Sequence, residues 1–288
     1  MSTSTTAPPT AGLRRPGSAP VAIGNEVVKG LRHGWAERTQ IVIELPMFVS
    51  FMLMLSFIVG QGEQVVATGR MNWTLDTAAT SWLFLGISVY ILVYLQIQKL
   101  FWRLLAEIQT GTLEQTYLSP LPSWLHTVVG RAVAATLEAA IVVGVLYAAT
   151  RLVVRLDLIW RLDALVPLAL ALVGSTGFAL VIGGLTLRWK RIEMFNDLVL
   201  LLVMFFSGVI IAVDRLPAIS DYVSPYLFLT HVTDAIRRIM LDGQGLRLWG
   251  TGGYLWMVAT ALGWLVAGYA IFRVCEYAAK RSGSLNRY

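Results

Sequence analysis

The sequence predicts an all-α, polytopic membrane protein with six transmembrane helices, and three observations predict it. Hydrophobic residues make up 56% of the 288-residue chain and charged residues only 14%, against about 25% charged in an ordinary soluble domain. Six stretches are long and apolar enough to cross a bilayer, which takes about 20 residues at about 1.5 Å per residue. Lys and Arg concentrate at alternate connections between those stretches, the asymmetry that orients membrane proteins. The net charge of +6 resembles a nucleic-acid signal, but in so apolar a chain its distribution matters more than its sum. A single cysteine, Cys275, excludes an intramolecular disulfide and a Cys-ligated zinc site.

Residues 1–23 open with a stretch rich in Ser, Thr, Pro and Ala; it is too polar to bury a core and is expected to be a disordered tail without a signal-peptide core. Over residues 24–40, Val27, Val28, Leu31 and Trp35 fall roughly on one helical face, with Lys29, Arg32 and Arg38 among the polar positions. This pattern predicts an amphipathic helix lying on the inner leaflet; a plain basic anchor beside the membrane is the alternative. The six-helix domain runs over residues 41–280, with spans near Val42–Gly60, Thr80–Gln96, Thr127–Ala149, Leu165–Leu187, Leu198–Val213 and Tyr254–Phe272. Residues 281–288 form a second tail. An even number of spans puts both termini on one side. That side carries 14 Lys and Arg against eight on the other, so both termini are expected in the cytoplasm. With acids included, the first face nets +8, the second zero, and the membrane −2 from Arg131 against Glu44, Glu138 and Asp197.

The connection from Lys99 to Ser123 is the most informative soluble stretch. Phe101–Ile108 can be helical, Gly111 can end that helix, and Thr112 with Gln115 forms a T-x-x-Q capping box for a second one. Ser119-Pro120-Leu121-Pro122 stops it. Such an elbow can dock into a partner or serve as a rigid turn. The segment from Asp214 to Gly250 places Phe228, Leu229, Val232, Ile236 and Met240 on one broad apolar face after Pro225. This helix is expected to pack against the bundle or the outer leaflet, with Asp234, Arg237 and Arg238 facing water.

Three features resemble the permease subunit of ABC transporters of the type-2 exporter class. The run from Glu107 to Leu121, EIQTGTLEQTYLSPL, is similar to the family's E-x-x-x-G-T-x-E-x-x-x-x-(S/T)-P segment. Ser207-Gly208, Leu216-Pro217 and Pro225 resemble its S-G…L-P…N-P…R outer segment, with Arg237 or Arg238 in the arginine region and Ser224 where Asn is usual. Six spans with cytoplasmic ends and a preceding amphipathic helix match its architecture.

The resemblance implies that Glu107, Gly111, Thr112, Glu114, Ser119 and Pro120 belong to a coupling helix contacting a separate ATP-binding subunit, present in two copies. It also implies that Pro225–Met240 forms outer re-entrant helices, and that a second permease, identical or paralogous, completes the pore. No Gly-Lys dipeptide occurs, so the phosphate-cradling G-x-x-x-x-G-K-[ST] loop is absent. ATP and Mg are therefore expected on the partner, with no cofactor in this chain. In the family, spans two and five line the pore. Tyr90 and Tyr94 share a face of span two, and Met204, Phe205 and Phe206 lie in span five; they are candidate pore residues, with lipid-facing or packing roles as the alternative. The resemblance implies export across the cytoplasmic membrane; short outer loops and aromatic spans lean toward small amphipathic compounds or lipids. A membrane-embedded lipid-modifying enzyme and an ion-coupled carrier are the competing readings.

Ionisable groups within spans are costly, about 2.5–3.5 kcal/mol at a helix centre on insertion scales. Glu44, Arg131 and Glu138 are such groups. Glu44 and Arg131 can snorkel to the membrane edge. Glu138 lies deeper and is expected to face the bundle, holding span three to a neighbour or meeting substrate. Asp197 is expected at the start of span five, where the helix dipole favours an acid. Gly174, Gly177, Gly183 and Gly184 in span four permit close helix approach. His33, His126 and His231 are widely separated, so no metal site is expected. G-x-S-x-G does not occur, and no catalytic residue is expected.

Overall fold

The computed structural model describes residues 24, 25, 27, 28, 32, 43, 46–58, 76–110, 131–189, 192–246 and 253–281, Lys280 by its backbone alone. The described residues form eight α-helices and no strand: α1 Pro46–Ile58, α2 Thr77–Thr110, α3 Arg131–Val153, α4 Leu165–Trp189, α5 Glu193–Phe206, α6 Ser220–Val223, α7 Phe228–Met240 and α8 Tyr254–Arg281. Four are long and apolar enough to cross a membrane: α2, α3, α4 with the 3₁₀ turn before it, and α8. In lipid every backbone polar group must be paired within the segment, which is why such apolar runs become helices. The predicted interfacial helix over 24–40 lies outside the described residues apart from isolated positions, and so do Glu44, Gly111, Thr112, Glu114, Ser119 and Pro120.

The second predicted span does not stop at Gln96. It belongs to α2, 34 residues long and so about 51 Å at about 1.5 Å per residue. Lys99 and Arg103, assigned above to a connection, lie inside this helix, because no Gly or Pro interrupts Ile87–Thr110. α2 is also the central helix: 67% of its most apolar window is buried, against 22% for α8. α3 runs antiparallel beside it, and the rings of Phe84 and Tyr147 meet at 5.8 Å. α1 sits at the Thr77 end of this pair, with Ser56 Oγ 2.5 Å from Thr80 Oγ1 and Met52 Sδ accepting from Thr150 Oγ1 at 3.9 Å.

α4 and α8 make the tightest helix pair. A methyl group at Gly177 would strike the backbone of Trp264 and Leu265, and one at Gly268 the backbone of Gly177. Lipid tails are as apolar as leucine, so close packing rather than expulsion of water holds such helices together. Small residues on both sides supply it. Beyond residue 100, α2 stays wedged between this pair, with Leu104 and Ile108 packed among Leu180, Leu187 and Phe272.

The fifth predicted span, Leu198–Val213, is corrected in both position and length. α5 starts at Glu193 and ends at Phe206, because Gly208 adopts φ +71°, a left-handed conformation that breaks the helix and suits glycine. At 14 residues, it is about 21 Å long, short of a full bilayer. Asp197 therefore lies in the second turn of α5, and Glu193 is the acid of the first.

Candidate functional site

α2 meets polar groups in two regions: its own side chains from Gln96 to Glu107 reach several neighbours, and near its start it receives Arg237 of α7. At one level Gln96, Gln98 and Lys99 radiate toward three different helices, as successive 100° steps around a helix require. Gln96 Nε2 donates to Thr176 Oγ1 of α4 at 2.8 Å and Oε1 accepts from Ser175 Oγ at 2.5 Å. Gln98 Nε2 donates to Asp197 Oδ1 of α5 at 2.9 Å, and Oε1 accepts from Asn196 Nδ2 at 3.0 Å. Lys99 Nζ lies 3.2 Å from Glu138 Oε2 of α3.

One turn further along α2, Arg103 Nη2 donates to the other oxygen of Glu138 at 3.4 Å. A further turn on, Glu107 pairs with Arg131. The two helices thus face each other with opposite charges, two cations of α2 on one acid of α3 and one acid of α2 on one cation of α3. Lys99, Arg103 and Glu107 are spaced i, i+4, i+8 on α2, opposite Arg131 and Glu138 at i, i+7 on α3. Arg131 and Glu138 never pair with each other; each finds its counter-charge on α2. Arg131 is 5% exposed and Glu138 7%, so neither side chain snorkels into solvent. Removing one partner of a buried pair leaves an uncompensated charge at about 3–5 kcal/mol, which makes this pairing a strict specification of helix register.

The second region lies near the start of α2 and centres on Arg237. The expectation that Arg237 faces water is overturned: it is 9% exposed. Its Nη1 donates to the Gly208 carbonyl at 2.7 Å, Nη2 to Val209 at 2.8 Å and Nε to Trp82 at 3.3 Å. The guanidinium also lies 3.3 Å from the centroid of the Trp82 ring, a cation–π contact. Burial pulls the group down from the usual arginine range to about 9, with Asp234 opposing the shift, so it stays charged at neutral pH. Gly86 makes room for it; a methyl there would strike Nη2 and lie 2.6 Å from the Val209 oxygen. Arg238 points the other way and pairs with Asp234 at 2.9 Å on the exposed face.

The break in α5 accounts for this arrangement. A helix end leaves carbonyls without partners, and at membrane depth irregular backbone survives only where protein groups satisfy it. Ser224 Oγ donates to the Phe206 carbonyl at 2.6 Å, and Arg237 donates to those of Gly208 and Val209. A positive charge at a helix C-terminus is also favoured by the dipole. The residues before α7 are held by α8: Trp256 Nε1 donates to the Pro225 carbonyl at 3.1 Å and Trp264 Nε1 to Tyr226 at 2.8 Å. α7 buries Phe228, Leu229, Val232, Ile236 and Met240, the face its periodicity predicts.

Among the other candidates, the rings of Tyr90 and Tyr94 lie 5.7 Å apart, and the Tyr90 hydroxyl donates to the Leu200 carbonyl at 3.5 Å. Phe205 is exposed, while Met204 and Phe206 are half-buried. Gln98, Asn196, Ser175 and Gly86 were not singled out by the sequence reasoning. Their signal was a polar residue, or a gap, inside an apolar run. Arg237 had one too, lying two turns after Leu229 on the apolar stripe, whereas Arg238 pairs i, i+4 with Asp234. Among the described residues no group of three or more His, Cys, Asp or Glu side chains can hold a metal ion.

Among the described residues every regular element is helical, four helices are apolar and long enough to cross a membrane, and polar groups meet along the central one, which defines a polytopic membrane protein. The family model for ABC-2 type transporters matches residues 32–241, and the chain belongs to that family: it is the permease component of an ABC transporter. No curated protein matches the chain. The family is a transport subunit rather than a catalyst, and membership implies an ATP-binding partner.

Proposed function

We propose that the chain is half of the pore of an ATP-driven exporter of small amphipathic compounds or lipids in the cytoplasmic membrane. Six spans, both termini in the cytoplasm and a second permease copy or paralogue complete this reading. Two copies of a separate ATP-binding subunit dock on the segment Glu107–Ser119. The observation that supports it is the continuity of α2. One unbroken helix runs from the Arg237 clamp at Trp82 and Gly86 to the Glu107–Arg131 pair, where the docking segment begins. A rigid helix joined at both ends carries a displacement at Glu107 to α7 about 30 Å away, and through Gln96, Gln98 and Lys99 to α4, α5 and α3 on the way. Coupling of this kind needs contacts that differ between two states; the docking segment moves with ATP binding on the partner, and the α7 end opens the exit.

The test is co-expression with the cognate ATP-binding subunit and assay of ATP hydrolysis in the purified complex. Glu107→Ala and Glu114→Ala are expected to lower permease-dependent stimulation at least fivefold. Normal complex formation with full stimulation in both variants would overturn the coupling assignment.

A further inference from the structure

We infer that the C-terminal end of α3 and the chain leaving it form a docking surface for an anionic phospholipid, with Arg151 and Arg155 holding its phosphate and Trp160 seated at headgroup level. The leaflet is the outer one under the orientation proposed above. The inference goes beyond the export reading: this lipid is a fixed neighbour of the bundle, not its cargo.

After α3 the chain runs extended, and it is pinned. Asp157 N donates to Ser81 Oγ of α2 at 3.1 Å, Ile159 N to the Met240 carbonyl of α7 at 2.7 Å, and Arg161 to the Gly243 carbonyl. Successive side chains of an extended chain face opposite ways. Val154 and Leu156 are buried, so Arg155 and Asp157 face outward, both exposed. A fixed backbone therefore presents the outward side chains, which leaves little ordering to oppose binding.

The outward surface is apolar as well as basic. Leu152, Val153, Trp160 and Leu162 are 88, 59, 68 and 84% exposed, and an apolar patch of this kind with a polar rim marks a membrane or partner site. Trp160 packs edge-on against Tyr147 at 5.5 Å. Tyr147 lies less than two turns before the end of α3, so the indole lies back along the helix, at the level Trp and Tyr favour between lipid and water.

The cations of this surface have no counter-charge. Arg151 Nη1 donates to the Tyr147 hydroxyl at 3.3 Å, and Arg155 has no polar partner among the described residues. Asp157 forms an ion pair with neither, while Arg161 is held by Asp163 and Gly243. Two arginines beside one acid leave a single excess positive charge, the complement of one phosphodiester, and guanidinium groups match phosphate oxygens with paired N–H donors. Val154 N still donates to the Thr150 carbonyl at 2.8 Å, so Arg155 stands one turn beyond Arg151. Arg151 in turn lies two turns beyond Gly144, on the same face of α3. That face exposes Leu137, Ile141 and Val145, and open space surrounds Gly144, which leaves a track for an acyl chain below the phosphate. A second copy docked on this face would bring like charges together, and a free phosphate would leave the apolar part uncovered. A phospholipid covers both.

Native mass spectrometry of the purified full chain, released from nanodiscs of phosphatidylglycerol and phosphatidylcholine, counts the lipids retained. Wild type is expected to keep phosphatidylglycerol in preference. Arg151→Gln combined with Arg155→Gln is expected to lose one bound phosphatidylglycerol, its affinity falling by about fivefold or more, and Trp160→Ala to weaken it about threefold. The corresponding double Lys variant is expected to keep most of the binding, and Arg238→Gln, whose cation Asp234 already pairs, to leave it within about twofold. Hydrogen exchange locates the site: peptides covering residues 150–161 are expected to gain about threefold protection with phosphatidylglycerol in wild type and none in the double Gln variant. Equal lipid counts in wild type and the double Gln variant, or protection of these peptides that is independent of phosphatidylglycerol, overturns the inference. The same protection from millimolar inorganic phosphate in phosphatidylcholine alone overturns it in favour of a free anion. Loss of self-association in the double Gln variant with unchanged lipid binding overturns it in favour of a second copy. None of these measurements involves ATP hydrolysis, so their failure with the Glu107 and Glu114 effects intact removes the lipid site alone.

Discussion

Replacing Arg237 by Met keeps the side chain's length and apolar stem and deletes the guanidinium. Two carbonyls, Gly208 and Val209, then lose donors at 2.7 and 2.8 Å; a buried acceptor without a partner costs about 1–3 kcal/mol. Loss of the contact with the Trp82 ring adds about 1–2 kcal/mol for a desolvated pair. Against these stands relief from burying a charge, which is several kcal/mol and is reflected in the lowered pKa of the group. The net expectation is a loss of about 2–4 kcal/mol in the docking of α7, which at about 1.36 kcal/mol per tenfold is about 30- to 900-fold in its opening equilibrium. Hydrogen exchange read by mass spectrometry, on purified chain in nanodiscs, measures that opening locally. Peptides covering Phe228–Met240 should lose protection by this factor, while those of α4 and α8 change little. Gly86→Ala should do the same from the other side, because its methyl occupies the space of the guanidinium. Arg238→Met is the control: its pair with Asp234 is exposed on both sides and worth about 0–1 kcal/mol, so protection should fall less than about fivefold. Protection of α7 within threefold of wild type in both Arg237→Met and Gly86→Ala would refute the clamp.

Gly177→Ala should destabilise the α4 and α8 pair by about 1–3 kcal/mol, since its methyl meets helix backbone that cannot step aside. Gly144→Ala, with open space around it, should be neutral or raise stability by up to about 1 kcal/mol; thermal unfolding of the two side by side checks both. Glu138→Gln removes the negative charge that Lys99 and Arg103 share on α3 and should cost about 3–5 kcal/mol, read as faster proteolysis between α2 and α3. Ser224→Ala frees the Phe206 carbonyl and should cost about 1 kcal/mol, with Ser224→Asn recovering most of it because the amide also donates.

Some of this was legible in the chain and some was not. Leu165–Leu187 matched α4 within two residues, because a long apolar run bounded by charges has one solution in a bilayer. The apolar face of α7 was legible for the same reason of periodicity. Span five was not: its apolar run continues to Val213, and only the left-handed Gly208, with Ser224 and Arg237 ready to take the loose carbonyls, makes the helix stop at Phe206. Span two was cut short because Lys99 and Arg103 look like a membrane edge when their partner on α3 is unknown.

What the sequence determined by itself is the helical, membrane-embedded class and the family, since both follow from local composition and from motifs whose residues are near neighbours in the chain. What only the tertiary structure decided is which way each helix turns its side chains: Glu138 toward Lys99 and Arg103, Arg237 inward and Arg238 outward, Asp197 toward Gln98. Hydropathy does not specify that rotation, because lipid and helix interior are equally apolar. It is set by side-chain pairs, Gln96 with Ser175 or Arg237 with Gly208, that lie tens of residues apart in the chain and come together only when the bundle packs.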